Sequence, residues 1–415
     1  MEDLAKIVED LEDANNREAA ADPAVKTSLG VVEKFLKSHP VLCYGGTAIN
    51  ALLPKKDRFY DPKVEIPDYD FFSKTPQAHS VIIANQLTKH GIKEVEVKPG
   101  MHLGTFKVFA DYTGVADITS LTGEIFDRLW EQSEVRNGIH FVPPNFLRMS
   151  MYLELSRPRG DVSRWEKVYK RLTLLNDAHP VTCKKEMANT HDRLTAEQQR
   201  GVIKLLKNEP VVLLSVSAAE IHLGQRWTTP VGILAERETI ERLTKGEKVD
   251  VKEENDILPK RTVVLSKDGK QDLFRFYETT ACHSYHTMNN GVRVASIPTT
   301  LQFFFAYMYS GADESNIASV LCIAQRLVDL ANSKPSRRFE ILTPKECLGE
   351  QETLTDMKKN KAKLYADLGK DKSSPEYLEY FFTYDPSDAA SKKKAKAAIK
   401  KLKDVTPEES SRSGT

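Results

Sequence analysis

The sequence predicts an α/β (α+β) protein built from two tandem copies of one unit, each a mixed sheet flanked by helices, with the second copy degenerate. Three observations predict it. Short apolar strands alternate with amphipathic helices along most of the 415 residues. A Gly45, Gly46 turn joins an apolar strand at 41–44 to a helix opening near Thr47. The order of elements then begins again at a spacing of about 155 to 170 residues.

The elements follow in order. Residues 3–20 predict an acidic, mostly solvated helix, and residues 31–38 a second one stopped by Pro40. After the glycine turn, residues 47–53 are helical and residues 54–63 form a charged loop. Residues 64–72 alternate and are aromatic, which predicts a strand with Pro67 at an edge or bulge. A helix at 77–90 leads to a hairpin, 104–111 with 115–120, around Thr113 and Gly114. Helices at 146–155 and 165–175 complete the first unit. The second opens alike: Val32, Lys34, Leu36, Lys37, Pro40 and Val41 recur as Val202, Lys204, Leu206, Lys207, Pro210 and Val211. Its hairpin, 263–266 with 272–277, turns at Asp268 and Gly269. Asn137, Gly138 and Pro144 recur as Asn290, Gly291 and Pro298. These repeats set the expected domains at 1–180 and 181–385, with a Lys-rich tail at 386–415 that reads as disordered or a transient helix.

Composition excludes several classes. The charge is +1 overall, but residues 386–415 carry eight Lys/Arg against four Asp/Glu, so any nucleic-acid path is local. Five cysteines lie far apart without CxxC or Cys/His ligand spacing, which argues against structural zinc; Cys43 and Cys322 read as core residues, and a reducing compartment is the simplest setting. No apolar run is long enough to span a bilayer, so no membrane partner is expected.

The first unit concentrates chemistry. Gly45 and Gly46 let backbone approach a triphosphate closely, and the helix behind them aims free N–H groups at phosphate oxygens. Thr47 adds a hydroxyl and Asn50 lies one turn on. Asp68 and Asp70 are two apart on a strand and share a face. Two carboxylates about 5 Å apart repel by roughly 3 kcal/mol at an effective dielectric of 20, a cost that a cation removes; hard oxygen ligands favour Mg²⁺ or Mn²⁺. Asp117, between Ala116 and Ile118 on an apolar strand, is the third acid; its rival Asp111 caps a turn. Together these groups predict transfer of a nucleotide from a triphosphate. Arg148, Lys107 and Arg157 are candidates to reach triphosphate or RNA. Arg157, Arg159, Arg164, Lys167, Lys170 and Arg171 form a basic run for an RNA backbone, with Trp165 or Tyr169 as stacking candidates against an ordinary core role. In the second unit Ser215 and Val216 replace the glycines, residues 228–234 have no acid, and Asp272 is placed where Asp117 stands in the first.

With these motifs in place the chain resembles the DNA-polymerase-beta-like nucleotidyltransferase superfamily. The wording around Gly45–Gly46, Asp68–Asp70 and Asp117 looks most like the poly(A) polymerase catalytic subunits of large cytoplasmic DNA viruses. The interval from Gly46 to Asp68 is longer than is usual in the superfamily. The resemblance implies Asp68, Asp70 and Asp117 as metal ligands and Gly45 and Gly46 as nucleotide holders. It also implies ATP as substrate, an RNA 3′ end as acceptor, and a homodimer or processivity subunit as partner. Its setting would be the host cytoplasm or virion. The rival readings are a nucleotidyltransferase acting on a small molecule or protein, and a non-catalytic RNA-binding processivity subunit.

Overall fold

The computed structural model describes residues 20–60, 69–121, 123–183, 193–225, 227–252, 257–312, 314–333 and 344–405, with scattered positions before residue 20. It resolves into two compact units, one of residues 1–143 with 354–415 and the other of residues 144–353.

In the first unit, helix α1 (Pro23–Ser38) starts where Asp22 caps the Ala24 N–H at 2.6 Å and Pro23 takes the first helical position. Its buried face, Val31, Val32, Phe35 and Leu36, packs on the later strands Thr113–Ser120 and Ile139–Phe141, and strand β1 (Leu42–Cys43) follows it in the chain. Helix α2 (Gly45–Leu52) follows directly. Strand β2 (Tyr69–Ser73), helix α3 (Pro76–Lys89) and strands β3 (Val95–Pro99), β4 (Thr105–Ala110) and β5 (Thr113–Ser120) come next. Helix α4 (Gly123–Glu131) and the hairpin β6 (Glu134–Arg136) and β7 (Ile139–Phe141) close the sequence of the sheet, whose order is β3-β4-β5-β2-β1-β7-β6. The β4–β5 turn falls on Asp111 and Tyr112, with φ of 46° and 67°, two residues before the expected Thr113 and Gly114. Asp111 accepts from the N–H of Glu94, the residue before β3, at 3.2 Å, a bond across to the neighbouring strand where a cap on its own turn was expected.

In the second unit, helices α5 (Pro144–Leu155) and α6 (Trp165–Ala178) precede the second repeat. Helix α7 (Ala196–Asn208) begins at a capping box of Thr195 and Gln198. Strand β8 (Val212–Leu214), helix α8 (Ser215–His222), strand β9 (Val231–Ala235) and helix α9 (Arg237–Leu243) follow. Strands β10 (Val249–Lys252), β11 (Arg261–Leu265), β12 (Asp272–Glu278), β13 (His283–Thr287) and β14 (Arg293–Ala295) lead to helices α10 (Ile297–Met308) and α11 (Glu314–Ser333), then strand β15 (Glu346–Leu348). The order β10-β11-β12-β9-β8-β14-β13-β15 repeats the first sheet strand for strand and adds one edge. Even the register shift recurs, after Val108 in β4 and after Val264 in β11. The two-copy fold expected from the sequence is therefore present.

Two expectations fail. Cys183 is bridged to Cys322 and Cys282 to Cys347, with Cα atoms 4.4 and 5.2 Å apart, leaving Cys43 as the buried free thiol. Separations of 139 and 65 residues hide both pairs from a sequence reading. The Lys-rich segment is also not structureless through residue 405. After helices α12 (Leu354–Leu368) and α13 (Pro375–Phe381), helix α14 (Ala389–Val405) buries Ala395 and Ala398 against α13 and α3. Tyr384, before α14, exchanges backbone hydrogen bonds with Val97 at 2.8 and 3.1 Å and covers the β3 edge. This C-terminal segment belongs to the first compact unit, and helices α5 and α6 to the second, so the compact units divide the chain differently from the repeats.

Candidate active site

The turn after β1 is built around one close approach. Gly45 has φ +70°, and a Cβ added there would sit 2.6 Å from Asp70 Oδ2. Only glycine meets both conditions, the left-handed backbone and the carboxylate against it. The backbone fixes that geometry: the Tyr44 N–H donates to the Asp70 carbonyl at 2.9 Å, and β1 pairs antiparallel with β2, Cys43 opposite Phe71. The Tyr44 ring stacks on Phe72, centroids 4.0 Å apart, and its hydroxyl bonds Thr119 at 2.9 Å. Burial, then the nearby Asp70 charge, pushes the phenol pKa up, so Tyr44 stays neutral and serves as an anchor.

The acids meet across the sheet. Strand β2 pairs parallel with β5, and Asp70 is the register partner of Asp117. On the other side of β5, Lys107 is the register partner of Asp117, with its Nζ 2.6 Å from Oδ2. The apolar neighbours Phe71, Ala116 and Ile118 are buried and hold the two strands in the core. Asp68 lies outside the described residues. Gly46 and Thr47 sit half-exposed in the first turn of α2. Asn50 has a different task from the one expected: its Oδ1 accepts the backbone N–H groups of Phe59 and Tyr60 at 2.9 and 3.0 Å, clamping the charged loop.

The RNA and phosphate candidates separate by burial. Arg148 is 1% exposed, and its guanidinium donates to Asn145 and Asn176 side chains and to the Leu175 and His179 carbonyls. Burial lowers its pKa to about 10. It is an internal bracket between α5 and the end of α6, with no surface to offer a phosphate. Arg157 is also largely enclosed, its Nε without a partner beside His283. Arg164 is exposed and pairs with Glu154 at 3.2 Å, Lys170 pairs with Glu166 at 2.8 Å, Lys167 is exposed and Arg171 half-buried. Trp165 donates to the Glu154 carbonyl at 3.0 Å, which ties it to the fold.

The second repeat shows what replaced the site. Leu214 is the register partner of Gly232, and Gly232 that of Arg275, so Gly232 stands where Asp70 does and Arg275 where Asp117 does. Asp272, expected at that place, lies three residues earlier and pairs with Arg275 at 2.8 Å. Counting from the hairpin misleads because the β11–β12 connection is longer than the β4–β5 turn. Ser215 keeps the left-handed backbone of Gly45, φ +62°. Here a Cβ on Gly232 would meet the Leu214 carbonyl at 2.5 Å and Ser215 Cβ at 3.0 Å. Glu220 repeats the Asn50 clamp, accepting from Thr228 N–H and hydroxyl at 3.0 and 2.8 Å.

A strand, a glycine turn into a helix and register-paired acids on the adjoining parallel strands define a nucleotidyltransferase-like fold, here carried twice with one acidic copy. Residues 30–161 match the model of the family described as poly(A) polymerase catalytic subunit. The resemblance read from the sequence is borne out over that segment. A relative from African swine fever virus (isolate Pig/Kenya/KEN-50/1950), named "Putative poly(A) polymerase catalytic subunit", is 29% identical over 174 residues, 40% of this chain and 36% of its own length. One of the same name from Acanthamoeba polyphaga mimivirus is 30% identical over 155 residues, 36% of this chain and 26% of its own. The chain thus spans about a third of the length of these relatives. The crystal structure of the Megavirus polyadenylate synthase has the same fold, with a TM-score of 0.77 at 17% identity over 96% of this chain and 89% of that one.

Proposed function

We propose that the chain is a template-independent polynucleotide adenylyltransferase, which transfers AMP from ATP to the 3′-hydroxyl of RNA. The observation that carries this reading is the Asp70–Asp117 register pair with Asp70 packed on Gly45, retained in one repeat and lost in the other.

In this reading the backbone at Gly45 and Gly46 and the first N–H groups of α2 hold the triphosphate. The 3′-oxygen attacks the α-phosphorus of ATP, the bond to the β-phosphate oxygen breaks, and pyrophosphate leaves. Asp70 and Asp117, fixed by parallel pairing, set the positions of the reacting oxygens. Their donor set fits a hard divalent ion: two carboxylates share one level of the sheet, and Asp117 already accepts a cation, the Lys107 ammonium. Among the described residues no three His, Cys, Asp or Glu converge on one point, so Asp68 would complete the set. Magnesium (or manganese) held there would lower the pKa of the attacking hydroxyl and neutralise the departing pyrophosphate.

Catalysis in this reading belongs to the first repeat, residues 1–180, and the second, residues 181–385, holds RNA or a partner. A second copy or a processivity subunit would lengthen the tail, and light scattering of the purified chain distinguishes the two. Among the described residues no helix is long and apolar enough to cross a membrane. The host cytoplasm or virion is the setting inferred with this reading, which the viral origin of the relatives supports.

The test is a tailing assay on short RNA with Mg²⁺ and each nucleotide separately. Wild type should extend RNA with ATP in preference to the other three, and Asp70→Ala or Asp117→Ala should reduce extension to background. Equal use of all four nucleotides, or activity that survives both substitutions, would refute the reading.

A further inference from the structure

Helix α14 carries Lys392, Lys393, Lys394, Lys396, Lys400, Lys401 and Lys403, and no acid lies between residues 389 and 403. A helix whose lysines merely keep it soluble normally intersperses acids at i+3 or i+4, because like charges at that spacing destabilise it. Here Lys392 and Lys396, Lys393 and Lys396, and Lys396 and Lys400 all stand at such spacings. None of Lys393, Lys394, Lys396 and Lys400 forms an ion pair with a described residue. All four are exposed, while Ala395 and Ala398 on the opposite side are buried. The helix is therefore held in place by its apolar side, and its repulsion is left for an external anion to relieve.

Geometry narrows the anion. Lys393, Lys396 and Lys400 lie at i, i+3 and i+7, one stripe, rising about 4.5 and 6 Å along the axis. That spacing suits successive phosphates of an extended single strand. Beside the stripe, a shallow cleft of about 300 Å³ between α3 and α14 has Val81, Ala395 and Ile399 as its apolar lining, with Tyr384, Lys392 and Lys396 around them. The Tyr384 hydroxyl is fixed on Asn85 at 2.6 Å. Tyr384 is itself buried and forms the floor of the cleft, so Val81 and Ile399 are the apolar surface a base can rest on, with phosphates on the ammonium groups beside it.

We propose that the lysine stripe of α14, with its adjoining cleft, is a docking surface for single-stranded RNA on the same compact unit as Asp70 and Asp117. The assignment of RNA rests on the adenylyltransferase reading; the cationic surface itself does not. Binding of a fluorescent oligo(A) to the full chain, measured across salt concentrations without ATP, tests it. The triple variant Lys393→Gln, Lys396→Gln, Lys400→Gln should lower the slope of log affinity against log salt by about 2 and weaken binding about ten- to a hundred-fold at moderate salt. A control, Lys358→Gln, Lys359→Gln, Lys363→Gln on α12, removes the same charge from other exposed lysines of that unit and should leave the slope near wild type. Equal effects of the two variants would reduce the surface to net charge and overturn the proposal. Wild type that prefers anionic phospholipid vesicles to oligo(A), with the α14 variant losing only the vesicles, would overturn it in favour of a membrane surface. A chain that binds oligo(A) through α14 and fails to add AMP would refute the catalytic reading and keep the docking surface. Thermal melting of both variants guards against misfolding, since their targets are solvent-exposed.

Discussion

Between the strand-to-helix turn and the neighbouring strand there is room for one side chain, and each repeat uses it differently. The first places Asp70 on Gly45; the second places Ser215 on Gly232. Gly45→Ala should therefore displace the Asp70 carboxylate as well as strain the backbone. We expect a loss of at least about 100-fold in tailing, since about 1 Å of misplacement suffices for that, with a stability cost of about 1–2 kcal/mol for the left-handed alanine. Tailing rates and urea midpoints check the two parts separately. Ser215→Gly is the converse: relief of the left-handed serine should raise stability by about 0.5–1 kcal/mol after the added flexibility of the unfolded chain and leave AMP transfer as it was. That Gly45, Asp70 and Asp117 belong to one place was legible, because few residue types suit a left-handed turn or an apolar strand there. Asn50 was not, because its partners Phe59 and Tyr60 are chosen by the path of the loop.

Elements decide which charged groups are available. In β12 the register delivers Arg275 to the position of Asp117, so the second sheet carries a cation where the first carries an acid. Arg148 shows the same dependence. Its place on α5 looked suited to a phosphate, yet packing against α6 buries it and spends its donors on the carbonyls of the helix end. Arg148→Met should destabilise the fold by about 3 kcal/mol, because the acceptors lose a buried charged donor, while RNA affinity per folded molecule stays unchanged. Chemical denaturation and an RNA titration on the same sample distinguish this from a phosphate contact. The helices and hairpins were legible in order, but the β4–β5 turn was set two residues late and α14 was read as disordered or a transient helix. Its alanines find neighbours only once α13 and α3 are folded beside them.

Across the whole molecule, repeat and compact unit are different divisions. The repeat in the sequence leads to an expected boundary near residue 180; the compact units divide near residue 144 and return the C-terminal segment to the first unit. Each unit holds a histidine that folding keeps neutral, half-buried His79 in the first and buried His283 in the second. Burial and then His39 lower the His79 pKa to about 4, and burial and then Arg157 lower that of His283 to about 3. An unfolded histidine takes up its proton near pH 6.5, so the unfolded state binds more protons between that pH and the folded values. Stability is then fully present above about pH 6.5 and is lost as pH falls toward 4, by about 1.4 kcal/mol per pH unit for each histidine. Urea midpoints at pH 7, 6 and 5 should fall accordingly, and His79→Gln should flatten the decline. A midpoint independent of pH over that range would contradict it.

The local pattern was legible in the sequence alone. A glycine that must take a left-handed turn, acids on apolar strands, and a repeated order of strands and helices leave their marks within a few residues of one another. What only the tertiary structure decided was partnership at long range. It chose that Asp70 faces Asp117 and Gly45, that Arg275 and not Asp272 fills the vacated place, and that Cys183 meets Cys322. Such partners depend on strand register and loop length, and a change of one residue in either moves every side chain on a strand to its other face.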